Sequence, residues 1–381
     1  MKLKGLLLAT NIFILIAVLP ACGNNVDSSN SGSGSNPESR TAVSEIKIPK
    51  TIQKKLGTNV SVDAVVEAPA ILPIEAGVIP AKIMKLKNQE KVMTLFSPNQ
   101  TMSKVHEENF KYRDGQTGVQ ENFQSKNGGF LNWDGKSLSC GKTLIFDIQE
   151  AFTPNPSAQK LYSAKDLPFM TQKEAEKKAR NFLSSLGVTV GNNVQVYALD
   201  YLILKQEQIK HQKETASNGL PAKKQRPVRE WTQADDCYVF KFQLELNGIP
   251  VSGQRQFGDP RAQTLTNGPM LLVYYGEQGF VNAEVENVYE ASGTAKEEKT
   301  LVGLDQALNV LNNKFDEIIM DNPITVTDIE FSYVPKLKAA NQENYLLTPA
   351  WIFQLSQYSK DIKRNVKTRI IINALTGGEM E

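Results

Sequence analysis

The segment 237–246 alternates between two kinds of side chain and runs directly into the dipeptide Asn247-Gly248. Alternation with a period of two is typical of a β-strand, because successive side chains point to opposite faces of a sheet. The aromatic and leucine residues share one face: Tyr238, Phe240, Phe242, Leu244 and Leu246. Asn-Gly is the strongest short hairpin signal, since both residues readily adopt positive φ. The segment therefore predicts a strand that turns back in an antiparallel sheet.

Two further antiparallel pairs are predicted in the second half of the chain. Apolar runs at 270–275 and 280–289 predict one hairpin, and runs at 345–358 and 367–375 predict another. Hairpins join antiparallel neighbours, whereas a parallel sheet needs long crossover connections. The pattern therefore favours meanders of antiparallel strands over two parallel-sheet lobes.

Two helices are predicted from apolar residues at helical spacing. The first begins at Thr171 and Glu174, a capping box in which each side chain bonds a free amide of the first turn. The second begins at Leu304. Antiparallel strands follow each helix, so residues 169–295 and 296–381 are interpreted as repeated units of one helix packed on an antiparallel sheet. The predicted fold class is α+β.

Residues 46–168 are interpreted as a mixed, β-rich N-terminal region. Short strands are predicted at 60–66, 130–140 and 143–148. Asp134-Gly135 is the turn expected inside the second of these segments, and a helix is placed around 102–110.

The N-terminus has the order of a secretory signal followed by a cysteine. Lys2 and Lys4 precede an apolar run, and small residues then lead to Cys22. The apolar run is shorter than the about 20 residues that a membrane-spanning helix needs. Leu19-Pro20-Ala21-Cys22 resembles the lipobox of bacterial lipoproteins, which implies that residues 1–21 are removed and that the Cys22 thiol carries a diacylglyceryl group.

A tract rich in Ser, Gly and Asn follows over residues 22–45. Such a tract cannot bury enough apolar surface to fold, so it is predicted to be a disordered tether. Together with the lipid on Cys22, it predicts a protein anchored to the outer face of the bacterial cytoplasmic membrane, with a Gram-positive cell favoured.

Composition excludes several classes of function. Without residues 1–21, Lys+Arg and Asp+Glu both number 41, so no basic excess favours nucleic-acid binding. His106 and His211 are too few and too far apart for a zinc site. The sequence contains no His-Glu-x-x-His or His-x-x-Glu-His motif, no P-loop and no Gly-x-Ser-x-Gly motif. We therefore predict no catalytic residue, metal or cofactor.

Two cysteines remain beyond Cys22, namely Cys140 and Cys237. Outside the cytoplasm they could form a disulfide, and two buried free thiols are the alternative. The carboxylate groupings Asp235-Asp236, Glu284/Glu286 and Asp316/Glu317/Asp321 lack EF-hand spacing and are interpreted as solvated faces.

Residues 194–205 are predicted to form a strand, and residues 206–229 an exposed basic loop after it. The cations of this loop are Lys210, Lys213, Lys223, Lys224, Arg226 and Arg229. Such a loop could contact anionic wall polymer or lipid head groups, or be a solvated insertion between two strands.

The C-terminal residues resemble a known family. In order they are Ala307-Leu308 on the helix, Tyr333-Val334-Pro335, Pro349-Ala350-Trp351, and a last strand that ends Asn373-Ala374-Leu375-Thr376-Gly377. This order resembles the PepSY-like units of extracytoplasmic bacterial proteins, particularly the paired units of the YycH/YycI regulators, with Asn373 in place of the usual Asp. The resemblance implies a non-catalytic role, because those regulators restrain a sensor kinase at the membrane and PepSY units are thought to bind or inhibit peptidases.

The expected function is a non-catalytic interaction or regulatory module that binds a protein partner at the cell surface. The first alternative is a substrate-binding lipoprotein of an uptake system, and the second is a hydrolase that acts on cell wall or peptide. The sequence leaves the partner and the oligomeric state open.

Cys22→Ala should abolish incorporation of a palmitate analogue and release the chain from the membrane fraction. The reason is that two acyl chains hold a protein on a bilayer, at about 0.8 kcal/mol for each buried CH₂. Metabolic labelling followed by cell fractionation measures both effects. Cys140→Ala is the matched control and should be labelled as strongly as the wild type. Equal labelling of Cys22→Ala would contradict the prediction.

Overall fold

Two large β-sheets contain most of the strands of this protein. The computed structural model describes residues 46–111, 117–154, 161–162, 165–217, 227–254, 265–316, 318, 320, 322–338 and 344–380. The predicted signal peptide (1–21), the lipidation site Cys22 and the whole of the predicted tether (22–45) lie outside these residues.

Sheet I has eight strands within the described ranges, and every pair of neighbours is antiparallel. Across the sheet, the strands are β10 (Val194–Leu199), β11 (Cys237–Phe242), β14 (Met270–Gly276), β15 (Gly279–Glu286), β9 (Leu138–Gly141), β8 (Phe130–Trp133), β7 (Thr117–Gln124) and β6 (Ser103–Lys111). The pairing of β15 with β9 joins its two halves.

Sheet II is built around one long hairpin. Its strands are, in order, β16 (Tyr289–Ala291), β5 (Glu75–Ile83), β19 (Tyr345–Ser359), β18 (Ile324–Leu337), β3 (Val60–Glu67) and β2 (Thr51–Lys55), with β17 (Lys296–Thr300) on β5 and β20 (Arg364–Asn373) on β19. β3 pairs in parallel with β18, whereas the other pairs are antiparallel. Two short pairs complete the strands: β1 (Ile46–Lys47) with β4 (Ile71–Leu72), and β12 (Glu245–Leu246) with β13 (Ile249–Pro250).

The N-terminal region 46–168 contributes strands to both sheets. β6 to β9 form one half of sheet I, while β2, β3 and β5 lie in sheet II beside strands from the end of the chain. Apart from the short pair of β1 with β4, the described strands of region 46–168 therefore lie in sheets that later parts of the chain complete.

Five helices are described. They are α1 (Gln89–Phe96), α2 (Leu144–Ala151), α3 (Gln172–Ser185), α4 (Tyr201–Ser217) and α5 (Leu304–Asp316). α1, α3 and α5 bury side chains in the main core, which also contains residues of both sheets, whereas α2 and α4 bury theirs in a second core on the opposite face of sheet I. The fold thus mixes helices with a larger share of sheet, as expected for the α+β class. In the described part of the chain, no helix has the length and apolar character needed to cross a membrane.

The predicted hairpin turn at Asn247-Gly248 is confirmed. It joins β12 to β13, and its two residues have φ values of 52° and 75°. The strand that precedes it is interrupted, because β11 ends at Phe242 and only Glu245–Leu246 pair again. β11 is also buried on both faces, since Cys237 and Val239 lie in the second core.

Three local predictions are wrong. The helix placed around 102–110 is strand β6, the strand predicted at 143–148 is helix α2, and the strand predicted at 194–205 ends at Leu199, before α4 begins at Tyr201. Short apolar runs do not distinguish helix from strand by period alone. Ile145 and Ile148 illustrate this, because their spacing of three buries both on one face of α2.

Trp351 is part of the main core. Its ring centroid lies 4.8 Å from that of Phe331, and its indole N–H donates to the carbonyl of Val302 at 2.8 Å. A buried indole usually finds such a partner for its polar atom. The bond also ties the segment before α5 to strand β19.

Thr171→Ala should lower the free energy of unfolding by about 1 kcal/mol, because the N-cap hydroxyl satisfies a free amide of the first turn. In the structure, Thr171 Oγ1 accepts from the Glu174 amide at 3.3 Å and the Glu174 carboxylate accepts from the Thr171 amide at 3.3 Å. Urea titration followed by circular dichroism measures the change. Thr171→Ser keeps the hydroxyl and should unfold within a few tenths of a kcal/mol of the wild type; equal loss in both variants would contradict the role of the cap.

Candidate functional site

A cleft of about 520 Å³ lies where the two sheets meet. We call it the inter-sheet cleft and define it by Glu67 and Glu330 from sheet II, Gln195 and Lys241 from sheet I, and Gln254 from the segment after β13. Its volume is in the range of small-molecule and peptide-side-chain sites, about 300–1,000 Å³. Both sheets are needed to form it.

Two carboxylates form the sheet II wall of the cleft. The parallel register of β3 and β18 places Glu67 directly opposite Glu330. Glu330 is fixed in position, because its Oε1 accepts from the Ser332 hydroxyl at 2.7 Å and its Oε2 accepts from the Gln254 amide at 3.3 Å. Glu67 reaches solvent at the mouth of the cleft.

The pKa of Glu67 is raised above its ordinary value of 4.5. The main cause is desolvation by the surrounding protein, and the negative charges of Glu330 and Asp328 add to it, while Lys241 acts in the opposite direction. Two neighbouring carboxyl groups can share a proton or hold a cation between them.

The opposite wall carries the positive charge of Lys241. The register of β10 and β11 pairs Lys241 with Gln195, so an ammonium group and an amide lie side by side on sheet I. The cleft is therefore negative on one wall and positive on the other. Such a site can bind a segment that presents a cationic group to Glu67 and Glu330 and an anionic or carbonyl oxygen to Lys241.

The predicted basic loop is wrong for residues 206–217, which belong to α4. Lys210 and Lys213 lie exposed on that helix, and Lys210 approaches Glu207 at 3.5 Å. The helix is held because Gln208 is buried and accepts both from the Trp231 indole at 2.8 Å and from the Arg229 amide at 3.0 Å. Lys223, Lys224 and Arg226 lie outside the described residues.

Arg229 is not a free surface cation. Its guanidinium bonds Asp147 at 2.9 Å and Asp235 at 3.0 Å and lies over the Trp231 ring, 5.5 Å from the centroid. These contacts join α2, the end of the 206–229 segment and the start of β11. Arg229 is therefore already paired with two carboxylates of this chain, whereas contact of the 206–229 segment with lipid or wall polymer stays a prediction.

Asp235 and Asp236 are buried, so their interpretation as a solvated face is wrong. Asp236 accepts from the Tyr201 amide at 2.7 Å, and burial is the main cause that raises its pKa. Burial alone would also raise the pKa of Asp200. The hydrogen bonds that its carboxylate accepts from Lys165 and from the Ile203 amide outweigh burial, so its pKa is lowered. These carboxylates position the start of α4 against β11.

Cys140 and Cys237 are free, buried thiols, so the disulfide alternative is wrong. β14 and β15 lie between the strands that carry the two cysteines, so three strand spacings of about 4.8 Å separate their Cα atoms. That separation exceeds the limit of roughly 7 Å between the Cα atoms of a disulfide. The two side chains also belong to different cores on opposite faces of sheet I. Burial raises the pKa of both thiols.

No pattern in the sequence indicates the residues of the inter-sheet cleft. Glu67, Glu330 and Lys241 lie on three strands far apart in the chain and belong to no motif. Only the pairing of β3 with β18 brings the two carboxylates together. Among the described residues, no group of three or more His, Cys, Asp or Glu side chains could hold a metal ion.

Comparisons with known proteins give a fold and no family. No family model matches the sequence, and no curated protein matches it. An uncharacterized protein from Eubacterium rectale ATCC 33656 aligns with 87% of this chain and 94% of its own, with a TM-score of 0.64 and 16% identity. At that identity, the likeness shows the fold alone. The C-terminal domain of Bacillus megaterium YpeB aligns with 78% of this chain and 97% of its own, at 10% identity and a TM-score of 0.25, which carries no argument.

Glu330→Gln should lower the pKa of Glu67, because it removes a neighbouring negative charge, whereas Lys241→Gln should raise it by removing the opposing positive charge. A ¹³C NMR titration of the Glu67 carboxyl carbon measures both. Folding raises the pKa of Glu67, so the folded chain binds more protons than the unfolded chain does. The contribution of Glu67 to the free energy of unfolding therefore falls as the pH rises from 4.5 through the folded pKa. Shifts of the same sign in both variants would contradict the arrangement.

Proposed function

We propose that this chain is a lipid-anchored extracytoplasmic protein that acts as a non-catalytic interaction or regulatory module at the bacterial cell surface. The signal and lipobox pattern that ends at Cys22 supports the location. The inter-sheet cleft, with opposite charges on its two walls, is the single observation that carries the binding role. Its occupant is an extended segment of a protein partner.

A peptide segment fits the chemistry of the cleft. A lysine or arginine of the partner would pair with Glu67 and Glu330, and a neighbouring carbonyl or carboxylate would face Lys241. Charge pairing of this kind selects the partner and its direction more than it adds affinity. Pro69, Pro250 and Pro269 also line the cleft and give it apolar, conformationally restricted surface.

We further propose that the chain is built from PepSY-like segments. α1 precedes the meander β6 to β9, α3 precedes the antiparallel set β10, β11, β14 and β15, and α5 precedes β18 to β20. This order of one helix followed by antiparallel strands supports the proposal, as do the residues near Trp351 that resemble that family.

A substrate-binding role is the second candidate, and the volume of the inter-sheet cleft favours it. In that case the occupant is a small zwitterion, such as an amino acid or short peptide, whose ammonium and carboxylate groups meet the two walls. A hydrolytic role is third, and the raised pKa of Glu67 beside Glu330 is the feature that favours it.

A photo-crosslinking amino acid at Gln243, which lines the cleft, should capture a defined protein in intact cells. The same group at the exposed Glu277, in the turn between β14 and β15, is the matched control and should capture none of it. Lys241→Glu should reduce the yield at Gln243 at least several-fold by reversing the charge of one wall. Mass spectrometry of the adduct identifies the partner.

Three outcomes decide between the candidates. Capture at Gln243 that depends on Lys241 supports the interaction module. No adduct, together with a higher Tm in the presence of dipeptides, supports the substrate-binding role, because a ligand of the folded state stabilises it by mass action. Hydrolysis of peptide or wall material that is lost in Glu67→Gln supports the third candidate.

A further inference from the structure

A second concave surface lies on sheet I, on the face that also carries α2. It has a volume of about 430 Å³, and we call it the polar hollow. It is defined by Asn132, Ser139, Asn282 and Glu284 on its strands and by Phe146 and Gln149 on α2. None of these residues belongs to the inter-sheet cleft.

Three residues of the floor, Asn132, Ser139 and Glu284, belong to a row of polar side chains that is in register across four strands. Asn122 pairs with Asn132, Asn132 with Ser139, and Ser139 with Glu284. Three strand spacings give the row a length of about 14 Å. A polar row of this length in the middle of a sheet is unusual, because the same face of β10, β11 and β14 is largely apolar.

A second row lies beside the first and contains a glycine where space is needed. Phe130, Gly141 and Asn282 are partners in adjacent strands. A Cβ atom on Gly141 would lie 2.6 Å from Asn282 Oδ1 and 3.1 Å from the Phe130 ring. The glycine thus leaves room for the buried Asn282 amide to lie in the floor.

The carboxylate of Glu284 is oriented by two amides. Gln149 Nε2 donates to its Oε1 at 2.7 Å, and Asn282 Nδ2 donates to the same oxygen at 3.3 Å. Within the part of the chain that the structure describes, Oε2 accepts no hydrogen bond, and neither Asn132 nor Ser139 has a side-chain partner. Glu284 Oε2, the Asn132 amide and the Ser139 hydroxyl are therefore free to bind a ligand.

An aromatic platform forms one side of the hollow. The ring of Phe146 is stacked on that of Phe130, with centroids 5.5 Å apart and planes inclined by 16°. Phe146 is 51% exposed although it is a large apolar side chain. The rings can cover the C–H face of a ligand whose polar groups point to the sheet.

We propose that the polar hollow binds a neutral oligosaccharide. Sugar hydroxyls both donate and accept, which matches a mixture of amides, a hydroxyl and one carboxylate, and the C–H face of a pyranose packs on an aromatic ring. No lysine or arginine is among the described residues that line the hollow, so anionic ligands are disfavoured. A cationic ligand is disfavoured because Gln149 and Asn282 already use one oxygen of the single carboxylate.

The proposal is tested with full-length, detergent-solubilised protein and three probes: chitotetraose, maltotetraose and cellotetraose. Saturation-transfer NMR should show binding of at least one, and titration calorimetry should show that Asn132→Ala and Phe146→Ala each weaken it about tenfold, equal to about 1.4 kcal/mol. Phe146 is exposed, so its variant should keep the wild-type Tm. Leu202→Ala, at an equally exposed apolar residue on α4, should bind as the wild type does.

Binding of none of the probes, or binding that the Asn132 and Phe146 variants leave unchanged, would overturn the proposal. Saturable binding of spermidine in the hollow without sugar binding would also overturn it and identify a cation site. Glu67→Gln should leave sugar affinity unchanged, and Asn132→Ala should leave capture at Gln243 unchanged. The proposals for the two sites are therefore tested independently of each other.

Discussion

The parallel pairing of β3 with β18 is the contact on which the arrangement of both sheets depends. It brings a strand from the beginning of the described chain beside one from near its end, and all eight strands of sheet I lie between them in sequence. A parallel pair always needs a crossover connection, and here that connection is most of the protein. The entropy cost of closing a loop grows slowly with its length, so this long connection slows folding more than it lowers stability.

This pairing also creates the inter-sheet cleft. In any register other than the observed one, Glu67 would not face Glu330, and a slip by one residue would move one carboxylate to the other face of the sheet. The raised pKa of Glu67 is the electrostatic consequence of that register together with desolvation. A pair of neighbouring carboxylates can thus arise from topology without any local motif.

Local elements could be predicted from the sequence where a turn or cap carries its own chemistry. Asn247-Gly248 and the Thr171 capping box are of this kind, whereas the helix that begins at Leu304 is predicted by its apolar spacing. The start of α4 is not predicted, because Tyr201, Leu202 and Ile203 continue the apolar character of β10. The bond that Asp200 accepts from the Ile203 amide acts as a cap, but the apolar residues on both sides hide that signal. Neither the composition of the sequence nor the spacing of its residues indicates which distant strands pair.

One cross-strand row of sheet I connects the two candidate sites. It runs from Gln195 and Lys241 in the cleft, through the buried Leu272, to Glu284, Ser139 and Asn132 in the hollow. Helices α2 and α4 cover the apolar part of this face, and the row is polar wherever that cover ends. Because burying an unpaired polar group is costly, a sheet interior stays polar only where water or a ligand reaches it. The polarity of this row therefore indicates that water or a ligand reaches both open ends of the face, which is consistent with the two proposed sites.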